Sequence, residues 1–488
     1  MEAIQNLEDV QAHPVLGIFK SITAIPHPSG QETALGDWVI RYALERGWLA
    51  SRDQAGNVLV TVPATSGLES RLPICFQAHL DMVCLDGQGN AYGAERYPLE
   101  LRLDGDWLSA TGTTLGADNG IGVALALALA DDAEHGPLEL LFTVEEETGL
   151  NGAAGLDMAL KSKILLNLDS EDWGMLFIGC AGGTGATITA PCDFAMADPP
   201  HPAWLLTVDG LQGGHSGLEI NKGRVNAVGL LAGVLDEMNT GRLIRLVSLT
   251  GGSRSNAIPA SAQAVFTCDL DDGDVQANFE EAASALRSAA EVTEPGVRIT
   301  LVRTDPAGWM TDAAVTDTLL GLILDLPNGV ISMSPVPEIP QTSINLGVAR
   351  LDQKSGELSL VLMARSSADD ELVDLEEQVS DACRKHDENP SPVTVTFSDG
   401  YPGWEPLPDS PLVQKVASLW QQRFSVPLTV TAVHAGLECG LLRAKFPDME
   451  MVSLGPDIRG AHSAQERVNI PSVNDCYVFL RQLVLNLA

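Results

Sequence analysis

The sequence predicts an α/β protein whose mostly parallel sheet is interrupted by an inserted α+β domain. Its 488 residues exceed what one simple hydrophobic core accommodates, so two domains or more are expected. The chain before about residue 180 alternates short β-rich runs with helical stretches, which is typical of a covered parallel sheet. The same alternation returns after about residue 400. We therefore expect a larger domain formed by residues 1–188 and 400–488, and an inserted domain at 189–399.

Local patterns predict the elements of the larger domain. Ser29-Gly30-Gln31-Glu32 has the spacing of a capping box and predicts the start of a helix that runs through Tyr42. Residues 120–130 are all Gly, Ala, Leu, Ile or Val and predict a small-residue helix. The predicted strands are 58–62, 72–77, 138–143, 164–167, 427–433 and 449–454, and further helices are predicted at 411–424 and 472–487.

The inserted domain is predicted to follow a linker, because Asp198-Pro199-Pro200-His201-Pro202 is rich in proline. Its first half has the β-α-β-β-α-β order of a ferredoxin-like sandwich, and a second α+β unit follows, which predicts a two-lobed domain. The predicted elements are strand 203–209, helix 224–238, strands 244–250 and 262–270, helix 276–291, strand 297–303, helix 312–325, hairpin 343–365, helix 370–386 and strand 393–398.

Composition excludes several classes of protein. A mean hydropathy of +0.09 and the lack of a long apolar run indicate a soluble globular chain. The eight cysteines form no C-x-x-C pair, and the first residues lack a secretory pattern, so we expect reduced thiols in the cytoplasm. The net charge of −36 argues against nucleic acid and anionic membranes as partners. A solvated acidic surface explains this charge better than adaptation to salt, although the sequence leaves both open.

Metal-ligand residue types follow predicted strands or lie in glycine-rich turns at five places: His79 with Asp81, Asp118, the run Glu145-Glu146-Glu147, Asp169, and His462. Each pattern alone is ordinary, since acidic runs often begin helices and Asp-Asn-Gly is a common turn. In an open parallel sheet, however, sites form outside the carboxyl ends of strands. We therefore expect these residues to meet at one edge of the sheet.

Two imidazoles and several carboxylates suit a pair of zinc-like ions. One carboxylate can bridge two such ions, which together activate a water and polarise a carbonyl. A further carboxylate must then carry the proton to the leaving amine. One glutamate of the run 145–147 is expected to be this base rather than a ligand.

Motifs along nearly the whole chain resemble the co-catalytic zinc peptidases of the aminoacylase/carboxypeptidase superfamily, and most closely the aminoacyl-histidine (Xaa-His, or cytosol non-specific) dipeptidases. The segments that carry the resemblance are QAHLDMV (77–83), SATGTTLGADNGIG (109–122), FTVEEETGLNGA (142–153), LLNLDSE (165–171), GCAGG (179–183), GLQGGHSGLEI (210–220), NAIP (256–259), HAGLECGL (434–441) and LGPDIRGAHSAQE (454–466).

The resemblance implies a role for each matching residue of the larger, catalytic domain. Asp118 would bridge the metals, with a cis peptide bond to Asn119. The other implied roles are His79 and Asp169 as ligands of one metal, Glu147 and His462 as ligands of the other, Glu146 as the general base, and Asp81 as the residue that orients His79. Three consecutive glutamates make the base ambiguous, and alignment on Gly149 selects Glu146.

The resemblance also assigns substrate contacts to the inserted domain, which would act as a lid. His215 would stabilise the oxyanion, while Asn256, Arg365 and the backbone of Gly436 would bind substrate, with the guanidinium on the α-carboxylate. The implied activity is hydrolysis of unblocked dipeptides, including Xaa-His, by two divalent ions. Zinc is expected, and cobalt or manganese can substitute. An N-acyl-amino-acid amidohydrolase and an inactive metal-binding scaffold are the alternatives, and a homodimer stays open.

Overall fold

The structure is a computed structural model that describes residues 4–387 and 392–487. The chain divides into two compact units. Unit 1 comprises Met1–Gly179, Trp404–Ala432 and Leu437–Ala488, and unit 2 comprises Cys180–Gly403 and Val433–Gly436. The division into a catalytic domain (1–188 and 400–488) and a lid (189–399) stays a prediction. No helix of the described residues combines the length and apolar character needed to cross a bilayer.

The α-helices of the described residues are α1 (Leu7–Ala12), α2 (Pro14–Ile22), α3 (Thr33–Glu45), α4 (Ala117–Asp132), α5 (Asn151–Gly155), α6 (Ala227–Met238), α7 (Asp272–Ala290), α8 (Ala313–Asp325), α9 (Asp369–Lys385), α10 (Pro411–Arg423), α11 (Glu438–Lys445) and α12 (Ile470–Asn486).

The strands are β1 (Leu49–Arg52), β2 (Val58–Val62), β3 (Ile74–His79), β4 (Leu101–Asp104), β5 (Trp107–Ala110), β6 (Leu138–Thr143), β7 (Ile164–Asn167), β8 (Met175–Cys180), β9 (Gly182–Pro191), β10 (Phe194–Asp209), β11 (Gly214–His215), β12 (Ile244–Gly251), β13 (Ala257–Ile258), β14 (Ala262–Cys268), β15 (Arg298–Thr311), β16 (Gly329–Met333), β17 (Pro340–Asp352), β18 (Glu357–Ser366), β19 (Thr394–Phe397), β20 (Thr429–Val433), β21 (Glu450–Ser453), β22 (Ile458–Arg459) and β23 (Arg467–Asn469).

The main sheet of unit 1 has the order β1-β2-β6-β3-β7-β21-β8-β20. Its central strands β6, β3, β7 and β21 run parallel, whereas β1, β2 and β8 pair antiparallel with their neighbours. Every residue of β3 and β6 is buried, as expected for strands covered on both faces. The predicted α/β class is therefore confirmed, and the parallel strands form the centre of the sheet.

Helix α4 packs against this sheet through small residues. Its glycines leave room for neighbouring atoms: a Cβ on Gly120 would lie 3.1 Å from the ring of Phe19, and a Cβ on Gly122 would lie 2.8 Å from the carbonyl oxygen of Leu168. The rest of the helix consists largely of Ala and Leu, and residues 119–130 are all buried. Gly122 thus allows α4 to lie close to Leu168, which follows β7, so that Asp118 in the first turn of α4 lies near the carboxyl end of β7.

Unit 2 is built on one antiparallel sheet with the order β15-β10-β14-β12-β17-β18-β9-β19, and β16 pairs with β17. Helices α6 to α9 contribute apolar residues to its core, among them Leu231, Leu235, Phe279 and Leu320. The two predicted α+β units join through hydrogen bonds between β12 and β17. Their strands thus form a continuous sheet.

The predicted linker at 198–202 is wrong, because these residues lie within the long strand β10. The ladder between β10 and β15 shifts register between Met196 and His201 and again between His201 and Ala203. Proline lacks the N–H that a regular ladder requires, and such irregularities accommodate it. The proline-rich composition therefore marks an interruption of the ladder.

Candidate metal centre

The candidate metal centre is formed in unit 1 at the carboxyl ends of parallel strands. His79 is the last residue of β3, Glu146 and Glu147 follow β6, and Asp169 follows β7. Because β3 pairs in parallel with both β6 and β7, these strand ends lie side by side. The remaining ligand positions, Asp118 and His462, come from the first turn of α4 and from the loop between β22 and β23.

The carboxylate of Asp118 faces two different histidines. Its Oδ1 lies 3.1 Å from Nε2 of His79, and its Oδ2 lies 3.2 Å from Nε2 of His462. His79 Nε2 is also 3.2 Å from Oδ1 of Asp169, and His462 Nε2 is 2.8 Å from Oε1 of Glu147. The structure therefore brings together two groups of ligand atoms that share Asp118. A carboxylate shared by two such groups has one oxygen available to each of them.

The backbone at Asp118 departs from helical geometry. Asp118 and Asn119 have non-helical backbone angles within the first turn, and the peptide bond between them is cis. The side chain of Asn119 donates to the carbonyl of Leu168 at 2.8 Å. This bond ties the turn to the segment that leads from β7 to Asp169.

The donor set fits a pair of divalent cations. The ligand atoms of His79, Asp118 and Asp169 lie within 4.8 Å of one another, as do those of Asp118, Glu147 and His462. Burial, reinforced by the charges of Asp118 and Glu147, raises the pKa of Asp169 to about 6 against the opposing effect of His79. So many carboxylates in a small volume require positive charge, and nitrogen and oxygen donors without thiols suit zinc-like ions.

Glu146 and Glu145 have different surroundings from Glu147. Burial raises the pKa of Glu146 well above its ordinary value, and nearby carboxylates add to this effect while His79 opposes it. A carboxylate oxygen of Glu146 also lies within 4.8 Å of the ligand atoms of His79 and Glu147. Glu145 instead accepts a hydrogen bond from the side chain of Asn151 at 2.9 Å. A carboxyl group that holds its proton more strongly than usual is suited to proton transfer near neutral pH.

Asp81 is buried and connects several parts of the centre. Its Oδ1 lies 3.3 Å from Nδ1 of His79, whose Nδ1 also lies 3.1 Å from the carbonyl of Asp81. The carboxylate accepts the backbone N–H groups of Glu146 and Glu147 and the hydroxyl of Ser29. Burial alone would raise its pKa, but these bonds and His79 lower the pKa to about 2. Asp81 therefore fixes both the imidazole of His79 and the backbone of the loop that carries Glu146 and Glu147.

The predicted capping box at 29–32 is wrong, although the helix predicted to follow it is present as α3. Ser29 donates to Oδ2 of Asp81 at 2.8 Å, and the cap residue Glu32 makes no side-chain bond to the first turn of α3. Glu32 Oε1 instead accepts the N–H groups of Gly30 and Glu145. Both side chains of the apparent capping box thus support the candidate centre.

A buried polar network, which sequence reasoning missed, links three strand ends beneath the ligands. Gln77 Nε2 donates to Oε2 of Glu438 at 2.6 Å, and Thr143 Oγ1 donates to the same oxygen at 2.7 Å. Asn167 Nδ2 donates to Oε1 of Gln77 at 2.6 Å. Gln77, Thr143 and Asn167 belong to β3, β6 and β7, and Glu438 begins α11. The network therefore fixes the spacing of the strands that carry the candidate ligands.

The predicted substrate contacts lie in unit 2, and two of them, His215 and Arg365, adjoin Gly217. A Cβ on Gly217 would lie 3.1 Å from Cε1 of His215, 3.2 Å from Nε of Arg365 and 2.3 Å from the carbonyl oxygen of His434. Arg365 is buried, and its Nη1 donates to the hydroxyl of Tyr401 at 3.4 Å. Its Nε has no hydrogen-bond partner among the residues that the structure describes.

Gly436 and Asn256 adjoin the same cluster. A Cβ on Gly436 would lie 3.0 Å from the ring of Tyr401, so this position favours glycine. Asn256 is exposed, and its carbonyl accepts the N–H of Ser216 at 2.9 Å. Tyr401 and His434 were not singled out as candidate site residues from the sequence, because their proximity to Arg365 becomes visible only once the chain is folded.

Two hydrogen bonds to the imidazole of His215 determine which ring nitrogen carries the proton. Its Nδ1 accepts the backbone N–H groups of Gly217 at 3.1 Å and Leu218 at 3.2 Å. A neutral imidazole that accepts at Nδ1 carries its proton on Nε2. Burial lowers the pKa of His215, and the charge of Arg365 lowers it further while Glu219 opposes this. His215 is therefore a neutral ring with an Nε2–H donor.

Comparisons with known proteins identify the family of the chain. Residues 75–486 match Peptidase family M20/M25/M40. The cytosol non-specific dipeptidase of Escherichia coli (strain K12) is 36% identical over 493 residues, which is 99% of either chain. The crystal structure of an aminoacylhistidine dipeptidase from Vibrio alginolyticus has a TM-score of 0.92 and 33% identity, and covers 99% of this chain and 98% of that one. A tripeptidase from Staphylococcus aureus shares the fold, with a TM-score of 0.55, 15% identity and coverage of 96% and 97%. The chain belongs to Peptidase family M20/M25/M40.

Proposed function

We propose that this protein is a two-metal dipeptidase that hydrolyses unblocked dipeptides, including Xaa-His, with Glu146 as the general base. The observation that carries the proposal is the position of Asp118 between His79 and His462, with the half-buried Glu146 close to His79. The names of the Escherichia coli and Vibrio alginolyticus relatives support the substrate class.

Two divalent ions, when bound, lower the pKa of a water and polarise a carbonyl. His79 and Asp169 would hold one ion, Glu147 and His462 the other, and Asp118 both. Zinc is the proposed ion. Cobalt or manganese would also suit these donors.

Glu146 takes the proton of the attacking water and delivers it to the leaving amine. Burial makes its carboxyl a stronger base than an exposed glutamate, which is what both transfers require. Asp81 fixes the backbone of Glu146 through a 3.0 Å hydrogen bond, so the base has a defined position. A group held in this way loses little freedom when the reaction begins.

The cluster in unit 2 supplies the proposed contacts to the substrate termini and to the developing charge. Arg365 pairs with the free α-carboxylate, and the backbone of Gly436 and the side chain of Asn256 assist. His215 donates its Nε2–H to the oxyanion. This hydrogen bond becomes stronger as negative charge develops in the transition state. The chain would act in the cytoplasm on small peptides, without nucleic acid or membrane partners.

The test measures hydrolysis of Gly-Leu and β-alanyl-histidine against N-acetyl amino acids by the zinc-loaded chain. We expect cleavage of both dipeptides and little cleavage of the acylated compounds. Cleavage of the acylated compounds alone would favour the amidohydrolase. Zinc binding without any hydrolysis would favour the inactive scaffold.

Glu146→Gln tests the base, and Glu145→Gln is its matched control. The first substitution should lower kcat by about 10²–10⁴-fold and leave zinc content unchanged. The second changes a neighbouring carboxylate that contacts Asn151, so its kcat should stay close to the wild-type value. Retained activity in Glu146→Gln would contradict the assignment of the base.

A further inference from the structure

Glu466 ends the same loop that carries His462. This loop, residues 460–466, connects β22 to β23, whose residues Arg459 and Arg467 pair across the ladder. Glu466 is only 2% exposed, and its backbone N–H bonds the carbonyl of Ser463 within the loop. A buried carboxylate needs donors that compensate its lost hydration.

Four consecutive backbone N–H groups supply these donors. Glu466 Oε2 accepts from Leu115 at 2.7 Å and Gly116 at 3.0 Å, and its Oε1 accepts from Ala117 at 2.7 Å and Asp118 at 3.2 Å. These amides form the turn that opens α4, where a negative charge also complements the helix dipole. Charge-assisted hydrogen bonds from these amides to both carboxylate oxygens closely determine the path of the turn.

The turn itself cannot easily relax. Gly116 has a φ of 72°, a left-handed conformation that favours glycine, and a Cβ there would lie 2.6 Å from Sδ of Met82. The backbone of residues 115–118 is thus confined by Met82 on one side and by Glu466 on the other. Loss of the Glu466 carboxylate would leave buried amides without an acceptor, which forces the turn or the loop to move.

We propose that Glu466 is a positioning residue that holds Asp118 and His462 at the spacing required by the metal ion they share with Glu147. The loop contacts Asp118 at two points: Glu466 bonds its backbone N–H, and His462 Nε2 lies 3.2 Å from its Oδ2. Two contacts from one short loop fix the carboxylate relative to the imidazole. The proposal rests on the metal-site assignment made above.

A purely structural role for Glu466 is the alternative, and Glu139 provides a matched control for it. Glu139 is also buried, at 4% exposure, and its carboxylate accepts the N–H groups of Lys161 and Ser162 and the hydroxyl of Ser162. It lies on β6 away from the grouped ligand atoms. Glu139→Gln should therefore lower stability without changing the affinity for metal.

The experiment titrates zinc into the metal-free full chain by calorimetry with a competing chelator, for wild type, Glu466→Gln and Glu139→Gln. Glutamine keeps one acceptor oxygen but presents an NH₂ group to two of the four amide donors, so the fold is retained while the turn is disturbed. We expect Glu466→Gln to weaken the zinc site of His462 and Glu147 by about 10–100-fold, and to weaken the site of His79 and Asp169 less, because only Asp118 is common to both. At limiting zinc, the kcat of this variant should be lower than that of wild type, and it should recover as the zinc concentration is raised. Its KM should change little.

Thermal unfolding of the metal-free chains separates positioning from general stability. Two zinc sites of wild-type affinity in Glu466→Gln would overturn the positioning role and leave the proposed function intact. Equal weakening by Glu139→Gln at similar loss of melting temperature would also overturn it. A wild-type chain that takes up no zinc would overturn the proposed function itself.

Discussion

The carboxylate of Asp81 accepts the backbone N–H of Glu146 at 3.0 Å. It also accepts the N–H of Glu147 and lies 3.3 Å from Nδ1 of His79. One buried side chain thus fixes the proposed base, the loop of a proposed ligand and the imidazole of another. This role is broader than the orientation of His79 that the sequence predicted.

Asp81→Asn is expected to impair catalysis more than metal binding. The asparagine NH₂ group would face a donor, either a backbone N–H or the Ser29 hydroxyl, so the 145–147 loop would shift. We expect kcat to fall by about 10–100-fold while zinc content falls less, measured by steady-state kinetics and elemental analysis. Ser29→Ala removes only a 2.8 Å hydroxyl bond and should have a smaller effect. Parallel loss of zinc and activity in Asp81→Asn would contradict this prediction.

Gly217→Ala is expected to disable the unit 2 cluster. The added Cβ would lie 2.3 Å from the carbonyl oxygen of His434 and close to His215 and Arg365, so these groups must move. Displacement by about 1 Å can cost about 100-fold in kcat/KM, whereas zinc content should not change. Gly229→Ala is the control, because nothing lies within 4 Å of its Cβ and the residue is in α6. Wild-type kcat/KM in Gly217→Ala would exclude this cluster from catalysis.

His215 is expected to act as a neutral donor throughout the neutral pH range. Burial and Arg365 lower its pKa, so protonation should occur only below the ordinary histidine value of about 6.5. Nuclear magnetic resonance of labelled histidine should show Nε2 protonated and Nδ1 unprotonated at pH 7. A doubly protonated ring at pH 7 would contradict the tautomer inferred from the Gly217 and Leu218 amides. His215→Phe should lower kcat by about 10²–10³-fold.

His13 is expected to make the protein less stable in acid. Burial lowers its pKa to about 4, while its Nδ1 caps α2 by accepting from Val15 and Leu16. The unfolded chain therefore binds more protons than the folded chain between about pH 6.5 and 4, so stability falls as pH decreases through this range. The loss is on the order of 2 kcal/mol when complete.

His13→Asn keeps a side chain that can cap the helix and removes the titrating ring. The difference in melting temperature between pH 7.5 and pH 4.5 should be smaller in this variant than in wild type. The control is His201→Asn, which changes a partly exposed histidine. An unchanged pH dependence in His13→Asn would show that His13 does not contribute to acid sensitivity.

The sequence predicted the family and the fold class correctly because the relevant signals are local. His79, Asp169 and the 145–147 run each follow an apolar strand, and parallel strands deliver such residues to one edge. Helix α4 was likewise evident from its small residues. The comparisons confirm the family resemblance that these motifs suggested.

The supporting residues could not be predicted, because their partners are distant in sequence. Glu466 bonds Leu115 across 351 positions, and Glu438 bonds Gln77 across 361. No periodicity or spacing links such pairs. Ser29 and Glu32 were misinterpreted for a related reason: the capping-box spacing is a local signal, whereas the bonds that these side chains form depend on Asp81 and Glu145.

The place of β21 in the unit 1 sheet affects how the protein is made. This strand lies between β7 and β8, although both are translated long before it. The pairing of β21 with β7 joins residues that are far apart in sequence, and such long-range pairing is slow to form. His462 follows directly. A translation product that stops before Glu450 would therefore lack both a central strand of the sheet and one of the two histidines of the candidate metal centre.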